Sequence, residues 1–134
     1  MNKVFKLIAL LTLTLSILTL GCGPSKEEQY STLKKDTIAL KEEIIRINTE
    51  REHENSQHAF SIRDMEKRKE LNSQTNQKAF EKMFKHADKI KENLKSMDKI
   101  SKSNSKLTDD YIRTKEEVII VLSVVDDFRK SYKK

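Results

Sequence analysis

The chain is poor in the residues that shape turns and sites. Its 134 residues include two Gly, one Pro, one Cys and no Trp. One Cys excludes an internal disulfide framework and a cysteine-built zinc site. Two Gly leave no room for a phosphate-cradling loop or a dinucleotide fingerprint, and too few tight turns for a β-rich fold. With 36% apolar residues, and the first segment set aside, too little remains to fill a large enzyme core. After Pro24 neither Gly nor Pro occurs again, which argues for long uninterrupted helices.

What the chain has is charge, and one apolar run. Lys and Arg number 27 and Asp and Glu 21, a formal net charge of +6. The run is Leu7 to Leu20, without a charge, preceded by Lys3 and Lys6 and followed by Gly21 and Cys22. A basic start, a short apolar run and a small residue form the pattern of a secretory signal peptide. At 14 residues the run is short for a spanning helix, which needs about 20.

Leu18-Thr19-Leu20-Gly21-Cys22 resembles the lipobox of bacterial lipoproteins. Gly21 and Cys22 match it. Thr19 and Leu20 depart from the usual Leu three residues before the Cys and Ala or Ser two before. The resemblance implies that Cys22 receives a diacylglyceryl group and that cleavage falls between Gly21 and Cys22. Residues 1–21 would then be a signal peptide, 22–25 a lipidated tether, and 26–134 the folded domain. Two acyl chains give stable attachment where one is marginal. The expected location is the extracytoplasmic face of the cell membrane, held by lipid. An uncleaved N-terminal anchor is the alternative.

The remaining sequence reads as helix. Tyr30, Leu33, Thr37, Leu40, Ile44 and Ile47 recur at steps of three and four, a heptad seam with Thr37 as its weak point. Ser25 followed by Glu28 suits a capping box. Apolar residues disappear from Asn48 to His58, and Phe60, Ile62, Met65 and Leu71 make a poorer stripe. Asn72-Ser73-Gln74-Thr75-Asn76 is the best turn candidate, because short polar side chains compete with helical backbone bonds. A second seam runs through Phe80, Met83 or Phe84, Ala87, Ile90, Leu94 and Met97. A second turn falls at Ser101–Ser105. The last seam is Tyr111, Val118, Leu122, Val125 and Phe128 or Tyr132. Val118 to Val125 is rich in β-branched residues, and propensity alone reads strand there. Its charged flanks argue for a helix buried on more than one face. The expectation is all-α: a long antiparallel coiled-coil bundle of three helices, about 26–71, 75–104 and 107–132.

Little in the chain carries chemistry. His53 and His58 are five residues apart, off the spacing that puts two ligands on one helical face, and His86 has no His or Cys at ligand spacing. The carboxylates are interspersed with basic residues and read as solvated helix faces, with pairs such as Glu42–Arg46 and Glu81–Lys85. No catalytic residue, metal ligand or cofactor site is expected, apart from the covalent diacylglycerol on Cys22. The basic clusters Lys34-Lys35, Lys67-Arg68-Lys69 and Lys82 with Lys85, Lys89 and Lys91 would suggest nucleic acid in a cytosolic protein. Export replaces nucleic acid with anionic wall polymer and lipid headgroups.

Lys26-Glu27-Glu28-Gln29-Tyr30 with Leu33, and Lys85-His86-Ala87-Asp88-Lys89-Ile90-Lys91-Glu92 running on through Asp98-Lys99-Ile100-Ser101-Lys102-Ser103, are similar to stretches of the cell-wall-binding lipoproteins of Gram-positive bacteria. Members usually continue with further helices, so the chain resembles a short or truncated one. The resemblance implies a membrane-anchored, non-enzymatic envelope protein in contact with wall polymer. A second reading is a protein-interaction module, of immunity, exclusion or assembly type. It would dock partner helices, or a second copy, through the incomplete seams.

Overall fold

In a computed structural model, residues 23–132 are described. Gly21 and Cys22, and with them the expected cleavage and lipidation positions, lie outside the described residues. The described chain forms an all-α bundle of three helices. They are α1, Lys26–Ser61; α2, Met65–Lys102; and α3, Thr108–Tyr132. A 3-10 turn, Ser105–Leu107, leads into α3. At 1.5 Å per residue the helices are about 54, 57 and 38 Å long.

The starts of α1, of α2 and of the 3-10 turn are capped. Ser25 Oγ accepts from the Glu28 N–H at 3.1 Å, and the Ser25 N–H donates back to Glu28 Oε2 at 2.8 Å, the reciprocal pair foreseen for this sequence. Asp64 Oδ1 accepts from the N–H groups of Glu66 and Lys67 at the start of α2. Asn104 Oδ1 accepts from the Lys106 N–H ahead of α3.

The first turn is not where the polar run suggests. α1 ends at Ser61, not near residue 71, and α2 begins at Met65, not near 75. The physical reason lies across the hairpin. Asn72 Oδ1 lies 2.8 Å from His58 Nδ1. Asn76 Oδ1 accepts from Asn55 Nδ2 at 2.9 Å and from Arg51 Nη1 at 3.2 Å. Thr75 Oγ1 donates to Glu54 Oε2 at 3.3 Å. Side chains that would otherwise compete for their own backbone are engaged by α1, and the backbone stays helical. The second turn falls within the expected stretch, with α2 ending at Lys102.

The seams meet as the spacing predicts. Ile44, Ile47, Ala79, Met83, Ala87, Ile90, Val118, Leu122 and Val125 form one buried cluster. Tyr30, Thr37, Met97, Ser101 and Thr114 are buried nearer the chain's described start. Thr37, the weak point of the first seam, is fully buried, its Oγ1 4.0 Å from the Met97 sulfur. Thr114 fills the gap between Tyr111 and Val118.

Cross-helix pairs set the directions. Lys34–Asp110 and Lys41–Glu117 are both 76 residues apart and one heptad from each other, so α1 and α3 run parallel. Asn93 pairs with Asp36 and Asn72 with His58, rising on one helix as the other falls, so α2 is antiparallel to α1. Lys91–Asp126 and Arg129–Asp88 give the same sense for α2 and α3. The up-down-up arrangement follows from the two short connections.

The apolar run of α3 is helical, but its burial is narrower than its composition implies. Val118, Leu122 and Val125 are buried, whereas Ile119, Ile120 and Val124 are exposed. Burial on more than one face is therefore corrected to burial on one. Among the described residues two helices flank it, and α2 and α1 both lie on the same side.

Candidate interaction surface

Three surfaces differ from an ordinary solvated helix face. The first is the outer side of α3. Ile120 is 71% exposed, Ile119 53%, and Val124 and Ile45 of α1 each 45%. Between α1 and α3, Ile45, Ile120 and Val124 border a groove of about 180 Å³, floored by Val121, Val125 and Phe128. Large apolar side chains grouped in this way mark contact surfaces more often than isolated ones do.

The second surface is a row of lysines on α2. Lys78, Lys82, Lys85 and Lys89 recur at steps of four, three and four, which places them on one side of the helix. All four are exposed. Lys89 reaches Glu92 at 3.3 Å, while Lys78, Lys82 and Lys85 form no ion pair among the described residues. Nearby on α1, Arg46 is held between Glu43 and Glu50. The hydrogen bond from Arg46, followed by its charge, holds the Glu43 carboxyl below the usual range, with Lys82 and His86 adding to the effect. The expected pairs Glu42–Arg46 and Glu81–Lys85 are replaced by Arg46 with Glu43 and Glu50, and by Gln77 with Glu81.

The third is the hairpin tip. Phe60 is 92% exposed and Met65 57%. Below the tip, α1 and α2 flank a groove of about 330 Å³ lined by Arg51, Glu54, His58, Gln74 and Lys78, among others. Much of its polar lining is engaged: Arg51 and His58 are bonded across the hairpin, and Glu54 accepts from Thr75.

The end of α3 is fastened by aromatic packing. Phe80 stacks on Phe128 with centroids 5.0 Å apart, and Tyr132 meets Phe80 and Phe84 edge-on. The Arg51 guanidinium lies 5.4 Å from the centres of Phe80 and Phe128, and that of Arg129 4.9 Å from Phe84. Such cation–π contacts each contribute about 0.5–1 kcal/mol or more. Arg129 also donates to the Phe84 carbonyl and to Asp88. Spacing alone pointed to the aromatic residues as core and did not reveal the two arginines.

The candidate chemical residues are not brought together. His53 pairs with Gln57 on its own helix, His58 faces Asn72, and His86 is half-buried on α2. Among the described residues there is no group of three or more His, Cys, Asp or Glu placed to hold a metal ion. Nor, among them, is any helix long and apolar enough to cross a membrane. No protein-family model, curated protein or solved structure matches the chain.

Proposed function

We propose that the chain is an extracytoplasmic lipoprotein, anchored through diacylglycerol on Cys22, whose helical bundle acts without catalysis by contacting anionic cell-wall polymer. The observation that carries the polymer contact is the lysine row of α2. The four residues are staggered along the axis by about 6, 4.5 and 6 Å, a linear array suited to a linear polyanion. The attraction is electrostatic and weakens with salt. The anchor reading rests on the run Leu7–Leu20 and on Gly21-Cys22, a few residues before the cap at Ser25.

The test has two arms. In a Gram-positive host, Cys22→Ala is expected to leave an unprocessed precursor, and normal cleavage with membrane retention would refute the lipid anchor. The detergent-extracted chain is expected to co-sediment with purified wall at low salt. Binding should fall on teichoic acid removal and with Lys78, Lys82, Lys85 and Lys89 changed together to Gln. Binding indifferent to all of these would refute the polymer contact.

A second reading, a protein-interaction module, is favoured by a separate observation: the exposed Ile119, Ile120 and Val124 beside an open groove.

A further inference from the structure

The outer face of α3 has a charge pattern that specifies what can lie against it. Ile120 points away from the side formed by Thr114, Val118, Leu122 and Val125, all buried. Residues seven apart return to nearly the same side of a helix. Seven before Ile120 is Arg113, and seven after it is Asp127. Both are exposed, about 10 Å along the axis on either side. Arg113 forms no ion pair among the described residues. Among the described residues Asp127 pairs with its exposed neighbour Lys130, at 3.1 Å.

This pattern is complementary to itself only when reversed. We propose that the Ile119–Ile120–Val124 ridge of α3, with Ile45 of α1, docks a second copy of this chain in antiparallel register across a two-fold axis beside Ile120. Arg113 then faces the partner's Asp127, and the pairing occurs twice by symmetry. A parallel copy would set Arg113 against the partner's Arg113, and like charges in register oppose association. An isologous interface requires a patch that complements itself in this way. The groove between Ile45 and Val124 lies next to the axis and is the concavity available to the partner's Ile120.

The proposal does not rest on polymer binding or on the lipid. An axis along the membrane normal would put both chain starts at the same height, so anchoring of both copies is compatible with it. The lysine row lies on α2, which the dimer contact does not use.

The test is the oligomeric state of the full chain in mild detergent at micromolar concentration, by sedimentation velocity. A dimer is expected. Ile120→Asp should give a monomer with unchanged helix content by circular dichroism. Arg113→Asp alone should weaken the dimer by about tenfold or more, as should Asp127→Arg alone. The two changes in one chain should restore it. A chain monomeric at every concentration would overturn the proposal, as would a dimer indifferent to Ile120→Asp. Single charge changes that leave the dimer intact would overturn the antiparallel register. A monomer that instead forms a 1:1 complex with a different protein through Ile120 would overturn the second copy as occupant. Loss of the dimer with wall sedimentation unchanged separates failure here from failure of the polymer contact.

Discussion

Lys34 and Asp110 meet at 2.6 Å, each side chain 39% exposed. The hydrogen bond from Lys34 is the main cause holding the Asp110 carboxyl below its usual range, with Tyr30 adding to it and burial opposing it. The same contact acts on Tyr30, whose hydroxyl is pushed up, first by burial and then by Asp110. A carboxyl depressed in the folded state stabilises the fold at pH above its unfolded value, about 3.9. That contribution is lost as pH falls through the lower folded value. Solvent screening keeps it small, under about 1 kcal/mol. Asp110→Asn should therefore lower stability at neutral pH by no more than this, and should flatten the loss of stability below about pH 4. Urea unfolding across pH checks both. An unchanged acid limb would show that the pair contributes nothing.

At the scale of the element, the first hairpin shows how a cap and a polar seam decide a boundary. Ile47 is followed at seam spacing by Arg51, Asn55 and His58, and Ala79 is preceded by Asn76 and Asn72. The heptad does not fade after residue 47. It continues with polar residues, which bond across the hairpin. A search for apolar residues misses such a seam, although polar side chains at these positions are a known device for fixing register. The chain then reverses at Ile62-Arg63-Asp64, where Asp64 satisfies two backbone N–H groups. Asp64→Ala should cost about 1 kcal/mol in thermal or urea unfolding. A cost near zero would move the turn away from residue 64 and back toward Asn72–Asn76.

Across the whole molecule, burial is uneven. No residue between Ile47 and Ala79 is buried. α3 is about 38 Å long against about 54 Å for α1, and its last turn packs beside Phe80 and Phe84. The hairpin tip is therefore a two-helix extension of a three-helix body, joined through polar contacts. Regions with few buried apolar contacts open at lower free energy than the core. Amide exchange should be fastest for residues 56–75 within the helices and slowest for 83–90 and 118–125. Equal protection along α1 and α2 would contradict this division.

Much of the fold was legible from side-chain type and spacing. The lack of Gly and Pro, the three- and four-residue steps, and Ser25 with Glu28 act locally, so composition and order determine three helices and most of the residues that face inward. The export signal and lipid anchor proposed above likewise rest on residues 1–22 alone. The tertiary structure decided what depends on neighbours. It placed the turn at 62–64, because the Asn and Thr side chains of 72–76 find partners on α1. It buried Thr37 and Thr114, because the facing helices close over them. It left Ile119, Ile120 and Val124 outside, because among the described residues α3 is flanked by two helices on one side, and a helix so placed buries one of its faces.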